Sequence, residues 1–421
     1  MRQGDLYALV DCDNAYATWH RVFAPRLRLK PIVVLSNNDG CAIARSKEAK
    51  AFGIKMGDAY HLNQKQWAAW GVVIFSSNYT LYGDMSARVM QLLANYTPEL
   101  EVYSIDEAFL NFAGFADPEA HARTLRADLL QGLDTPVGVG ISTTKTLAKV
   151  ANRTAKKDPH SGGVCLLDTE SKQTAALEKL VLDDVWGVGR RLPASLAAIG
   201  ITTPLQLRDA DPSMIRDRFN VVLQRTVLEL RGVSCIDLER DSPDAKTIRT
   251  ERSFGRYVET FDELAEALCA YVSRAAEKMR RKGLATAHVA VMVTTNKWKP
   301  DQAQYYATRP VRLTIATTDT GRLIRAALHG LRAIYRPGFK YKKTGILLLD
   351  LVPADSVQGS LFIQPDTPER VILLNAVDQL NKRYGRDRVR WGASGIDRAW
   401  RMKAEFPSPA YTTRFGELLR V

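Results

Sequence analysis

No stretch of this chain approaches the roughly 20 consecutive apolar residues that a membrane-spanning helix requires, so no membrane partner is expected. Its first residues, Met1-Arg2-Gln3-Gly4-Asp5, run straight into a strand-like segment with no sign of a cleavable leader. Cysteine is sparse. Cys12, Cys41, Cys165, Cys235 and Cys269 are odd in number and never spaced as C-x-x-C. That argues against a disulfide framework or a structural zinc module and fits a reducing cytoplasm. The six histidines form no cluster suited to zinc or iron. Acidic residues are too few to balance the basic ones, 46 against 59, leaving a formal charge of +13. Such an excess points to a polyanion or an acidic surface as partner.

What is present supports several domains: 421 residues, 46% of them hydrophobic. The apolar run Leu6–Val10 reads as a buried strand ending abruptly on Asp11, with Asp13 two residues later. Tyr16, Trp19 and Phe23 then recur at helical spacing. Pro31–Leu35 is a second buried strand, closed by the turn-rich Ser36-Asn37-Asn38-Asp39-Gly40. Arg45, Lys47 and Lys50 place three cations at the start of a helix that should stop at Gly53. Met85, Val89, Leu92, Leu93 and Tyr96 mark an amphipathic helix over 84–96. Val137–Ile141 is another strand, and Ser142 to Thr144 can cap a helix bearing Lys145 and Lys149. Strands and helices intermix, which predicts an α+β catalytic core.

Within that core, Tyr103-Ser104-Ile105-Asp106-Glu107-Ala108-Phe109 sets two adjacent carboxylates in a strand-like run. Side chains alternate along a strand, so the pair diverges unless the chain bends, as at a hairpin tip. A lone Asp-Glu pair is most often an exposed turn. Asp11 changes the odds, because two neighbouring strands can bring three carboxylates together. Three acids suit hard, oxygen-seeking cations, and two Mg²⁺ ions can clamp the attacking and leaving oxygens of a phosphoryl transfer. Lys47, Lys50, Lys156 and Lys157 are natural counter-ions for a triphosphate. A nuclease could use the same acids, and a DNA-binding scaffold could retain them without catalysis.

Two later segments favour nucleic acid. Trp186-Gly187-Val188-Gly189-Arg190-Arg191 between helical patterns reads as a helix-hairpin-helix, whose Gly187 and Gly189 expose backbone N–H groups while Arg190 and Arg191 add charge for DNA. Residues 243–352 run strand, helix, strand, strand, helix, strand, the split βαβ order. This span holds twenty of the 59 Lys and Arg and most of the net charge, as phosphate-backbone binding demands.

Val10-Asp11…Tyr16, Ser104-Ile105-Asp106-Glu107-Ala108-Phe109 and Val139-Gly140-Ile141-Ser142 resemble motifs of the Y-family translesion DNA polymerases. Ser36–Cys41, Phe75–Tyr79, Asp183–Gly187 and Ser408–Arg414 are similar to segments of its UmuC subfamily, and the likeness runs essentially end to end. The resemblance implies a multi-domain right hand: palm at 1–24 and 76–170, fingers at 25–75, and a helical thumb with the hairpin at 171–240. A split βαβ little finger at 243–352 follows, then a linker at 353–368 and a C-terminal tail at 369–421. It implies low-fidelity, template-directed DNA synthesis past lesions in the SOS response, on primer-template DNA with dNTPs and two Mg²⁺ ions.

By position, Asp11, Asp106 and Glu107 match the catalytic metal ligands, with the Cys12 carbonyl as a further ligand. Tyr16 matches the steric gate against a 2′-hydroxyl. Lys50 and Lys156 match triphosphate-binding cations, with Arg45 and Lys47 beside them as nucleotide-binding candidates. Ala15 and Lys47 depart from aromatic residues common at those positions. Gln358-Gly359-Ser360-Leu361-Phe362 resembles peptides that dock into the sliding clamp, with Gln358, Leu361 and Phe362 as the anchors. The tail resembles the region associated with a UmuD′-like dimer and RecA.

Overall fold

β1 (Tyr7–Cys12) buries every side chain except that of Asp11, as expected of a strand paired on both edges and covered on both faces. The computed structural model that shows this describes residues 6–239, 245–360 and 362–418. α1 (Ala15–Val22) follows, entered through Asn14 in the left-handed region at φ 51°, a conformation Asn tolerates better than most residues. β2 (Ile32–Leu35), β3 (Ala42–Arg45) and β4 (Val73–Ser76) form a three-stranded sheet in the order β3-β2-β4. Between β3 and β4 lie α2 (Lys47–Ala51), capped by Ser46, and α3 (Tyr60–Ala69). Then come α4 (Tyr79–Leu93), β5 (Leu100–Val102), β6 (Glu107–Asn111), α5 (Pro118–Leu133), β7 (Val137–Ser142), α6 (Lys145–Lys157) and β8 (Val164–Leu167).

The main sheet has the order β5-β6-β1-β7-β8, with β1 antiparallel to both β6 and β7. Strand alternation divides its two faces. Ala8, Val10, Ala108, Leu110, Val139 and Ile141 share one core with Trp19 of α1, Leu81 of α4 and Leu125 of α5. Tyr7, Leu9 and Phe109 face the other way and pack with Ala148 of α6. Asp11 and Glu107 continue this second, α6-facing set by parity.

Glycine permits the close approach of α6. A Cβ on Gly140 would sit 1.9 Å from the backbone nitrogen of Asn152, and one on Gly138 would meet the Lys156 side chain at 2.7 Å. Asn152 uses the intimacy, donating to the carbonyls of Gly138 at 2.7 Å and Leu9 at 3.3 Å. After β8, α7 (Glu170–Glu178), α8 (Leu192–Ala197), α9 (Pro204–Asp209), α10 (Pro212–Arg218) and α11 (Val221–Leu230) enclose a separate apolar core around Leu177, Leu196, Leu207, Ile215 and Val227.

By contacts, the described residues within 1–36, 41–242 and 406–421 form one unit, and those within 37–40 and 243–405 a second. The second contains β9 (Ile248–Val258), α12 (Phe261–Arg281), β10 (Leu284–Thr295), β11 (Tyr306–Thr317), α13 (Thr320–Ile334) and β12 (Tyr341–Leu349). Its sheet order is β11-β10-β12-β9, antiparallel throughout, so β12 splits β9 from β10 in the βαβ manner read from the sequence. Leu264, Leu268 and Val272 of α12 and Leu323 and Leu331 of α13 close the core against it. α14 (Pro368–Tyr384) follows and buries only Leu374. Among the described residues no helix is long and apolar enough to cross a membrane.

In the first unit His20 is fully buried, stacked on Phe75 at 4.1 Å, with Nε2 2.9 Å from the Tyr82 hydroxyl. Burial drives its pKa down to about 3. The unfolded chain takes up that proton near pH 6.5 and the folded one does not, so this contribution to stability is complete above 6.5 and falls away below it. We expect the loss between pH 6.5 and 5 to be about 2 kcal/mol. Urea unfolding of the native chain should show that slope, and His20→Gln should flatten it by a comparable amount.

Candidate active site

The pairing of β1 with β6 places Asp11 directly across from Glu107. Like charges on directly opposed residues disfavour a sheet, and α6 answers both. Lys156 Nζ lies 2.8 Å from Asp11 Oδ1 and 3.1 Å from Asp13 Oδ1. Lys149 Nζ lies 3.1 and 3.2 Å from the two Glu107 oxygens. Its ammonium also stands over the rings of Tyr103 at 4.4 Å and Trp186 at 5.5 Å, favourable placements for a cation.

Asp106 belongs to a tight turn between β5 and β6. The Tyr103 and Ser104 N–H groups both donate to the Glu107 carbonyl, at 3.1 and 3.0 Å. Ser104 Oγ accepts from the N–H groups of Asp106 and Glu107 and donates to Asp106 Oδ1 at 2.7 Å. The Cys12 N–H donates to the Asp106 carbonyl at 2.9 Å, tying the turn to the end of β1. Cys12 itself is in the core, where burial pushes its thiol pKa far up. Thus the acidic pair does sit at a hairpin tip.

Burial lifts the Asp11 carboxyl to about 6; Lys156 pulls it back, while Glu107 and Asp106 add to the rise. Lys156 is raised: burial works against its charge, and Asp11 and Asp13 outweigh burial. Lys50 is lowered by burial and by Arg45 and Lys156, with Asp13 and Asp11 opposing. Lys50 and Lys156 both feel the charge of Asp11 and Asp13, and Lys156 is paired with both acids. Arg45 spends one Nη on the Ile54 carbonyl at 3.2 Å, while its buried Nε has no partner. Lys47 is exposed on the first turn of α2.

Tyr16 lies in the first turn of α1, just after the end of β1. Its ring stacks on Tyr82 at 4.0 Å and 6° and meets Tyr79 edge-on at 6.5 Å. Burial raises its pKa first, then Tyr79 and Asp106. Ala15 beside it is buried in the core.

Among the described residues no three His, Cys, Asp or Glu side chains are gathered as a metal-holding set. The donor chemistry nevertheless fits a hard divalent cation, since Asp11, Asp106 and Glu107 offer only carboxylate oxygens. Lys149 and Lys156 serve as counter-ions to Glu107 and Asp11 in this arrangement.

The other candidates come from later elements of the chain. Gly187, at φ 88°, turns the backbone ahead of α8, where a Cβ would meet Thr226 Oγ1 at 2.9 Å. Gly189 has open space around it, and Arg190 and Arg191 are exposed. In the second unit Gln358 is exposed and Phe362 is 94% exposed, while Leu361 lies outside the described residues.

Sequence reasoning passed over two residues. Ser104 was legible only as part of a motif, although a serine two residues before an aspartate is a common turn lock. Lys149 was read as an ordinary helix cation. Its spacing from Asn152 and Lys156 along one helical face was the available signal.

Models of the impB/mucB/samB family match residues 10–153, its C-terminal domain 245–361, and a domain of unknown function 372–421. The chain is 41% identical to Protein UmuC of Salmonella typhimurium, over 99% of this chain and 100% of that protein. It is 42% identical to Protein SamB of Salmonella typhimurium, over 98% and 99%. In fold it is similar to a Y-family DNA polymerase chimera of Dbh and Dpo4, with a TM-score of 0.67 at 19% identity, covering 82% of this chain and 99% of the other. The chain belongs to the impB/mucB/samB family, the UmuC-type Y-family DNA polymerases.

Proposed function

We propose that this chain copies DNA past damaged template positions, at low fidelity, by transferring deoxynucleotides to a primer 3′-hydroxyl. The observation that carries this reading is the register that sets Asp11 opposite Glu107, with Lys156 paired to Asp11 and Lys149 to Glu107. Asp11, Asp106 and Glu107, with the Cys12 carbonyl, are the residues to hold two Mg²⁺ ions. Bound there, the ions supply Lewis acidity that stabilises charge on the attacking and leaving oxygens.

The chain's own groups do the rest. Lys50 and Lys156 face a triphosphate with two cations, and Arg45 and Lys47 extend the same basic edge. The unpartnered Nε of Arg45 supports an anion as its missing acceptor. Tyr16, stiffened by its stack on Tyr82, presents a flat wall to the sugar and leaves no room for a 2′-hydroxyl. Ser104 fixes the turn that carries Asp106 into β6 at Glu107.

In this reading the main sheet with α4, α5 and α6 is the palm and β2–β4 with α2 and α3 the fingers. The helices from α7 to α11 are the thumb, and the split βαβ unit is the little finger. Gly187, Gly189, Arg190 and Arg191 grip the DNA backbone. Gln358 and Phe362, exposed as a docking peptide must be, engage a sliding clamp together with Leu361. A UmuD′-like dimer and RecA engage the C-terminal segment, in the cytoplasm.

The test is primer extension with Mg²⁺ across an abasic site, with accessory partners added. Native protein should extend, and Asp106→Asn should lower extension by at least about two orders of magnitude. No extension by the native protein contradicts the activity, and an undiminished Asp106→Asn contradicts the ligand assignment. Tyr16→Ala should raise ribonucleotide incorporation about tenfold, or about 1.4 kcal/mol. Unchanged sugar selectivity would remove Tyr16 from the gate role.

A further inference from the structure

The helix layer of the second unit gathers more positive charge around one small hole than its acids can answer, with Arg274 half-buried and Arg386 and Arg390 exposed. A small cavity of about 40 Å³ there is lined by Arg274, Arg280, Arg386, Arg390 and Arg398. Its acids are Glu277, Asp378 and Asp387, and each is already engaged. Arg280 pairs with Asp378 at 2.8 Å, Arg398 with Asp387 at 2.7 Å, and Arg281 with Glu277 at 2.6 Å. Among the described residues Arg274, Arg386 and Arg390 are left with no ion pair or hydrogen bond.

Arg274 is half-buried on α12, so water screens it poorly. Burial lowers its pKa, as does the charge of Arg386, and Arg252 of β9 adds to the effect. Lys278, one turn along α12, is lowered by burial and then by Arg274, Arg252 and Arg386. Asp387 and Glu277 act on Arg274 in the opposite sense, but they are already paired with Arg398 and Arg281.

The cavity opens beside a larger cleft of about 700 Å³ between α12 and α14, which shares Arg280 and Arg386. The cleft adds Arg281, Lys382 and the amides Asn375 and Gln379, its carboxylates Glu277 and Asp378 are the ones already paired with Arg281 and Arg280, and no large apolar side chain lines it. That composition selects the occupant. A protein partner anchors through buried apolar or aromatic side chains, and a membrane through apolar insertion; neither finds purchase here. A phosphodiester finds cations for its charge and amides for base edges. The hole has room for a phosphoryl group and none for a base. Its recess suits a flexible single strand better than a rigid duplex.

We propose that the cleft between α12 and α14 binds the phosphate backbone of a single nucleic-acid strand, one phosphate seated among Arg274, Arg386 and Arg390. This goes beyond the polymerase reading, since none of these residues belongs to the strand-end site, and most of α14 falls within the domain of unknown function.

The test uses the full chain and an oligothymidylate. Acylation of Lys278 and Lys382 by an amine-reactive reagent should slow at least fivefold on adding the single strand. The double substitution Arg274→Gln with Arg386→Gln should weaken oligothymidylate binding roughly tenfold or more at 0.1 M salt and reduce the salt slope by about 0.7 per cation removed. Extension of a primer on a template with a minimal overhang should be unchanged in that variant, which reports both folding and the separate standing of the polymerase reading. Unprotected lysines in the native chain overturn the proposal, as does protection by duplex, inorganic phosphate or an acidic protein but not by the single strand.

Discussion

One helix lying across one sheet organises the catalytic unit. α6 passes over the strands in their spatial order and sets a lysine against an acid at each. Lys145 pairs with Glu101 of β5, Lys149 with Glu107 of β6, and Lys156 with Asp11 of β1. Without those cations, the Asp11–Glu107 pairing would place two like charges side by side at a strand end. The closeness that makes this possible rests on Gly138 and Gly140, since any side chain at Gly140 collides with the α6 backbone.

The three pairs differ in character. Lys145 is 1% exposed, and its ammonium also donates to the Asp237 carbonyl at 2.7 Å, while Glu101 accepts from the Glu239 N–H at 2.8 Å. A buried pair so fully satisfied fixes position more than it adds net stability, because desolvation consumes most of the attraction. It anchors one end of α6. The other two pairs stand at the open ends of β1 and β6, where their carboxylates stay reachable. Fully buried and partly exposed versions of the same pairing thus lie on one helix.

Much of this was readable in the residues. Apolar runs located β1, β2 and β7, and helical periodicity located α4 and α12, because burial imposes those patterns directly. Asp11 and the Asp106–Glu107 pair stood out as charges at strand ends. What escaped was relational: the register that sets Asp11 opposite Glu107, and the face of α6 that aims Lys149 and Lys156. Lys145 looked like any helix cation, since burial of a lysine depends on Glu101, 44 residues away. The unmatched arginines between α12 and α14 were hidden for the same reason. Only the packed structure tells which cations already have a partner.

In the proposed function the strand-end carboxylates hold the metal, and the α6 lysines are resident counter-ions that a metal must compete with. Mn²⁺ binding to the full chain, followed by electron paramagnetic resonance without DNA, tests this directly. Asp11→Asn should weaken binding at least about tenfold, the scale of losing one charged ligand interaction. Lys149→Met, which removes a competing cation, should tighten it. Mn²⁺ affinity unmoved by both substitutions would contradict the account.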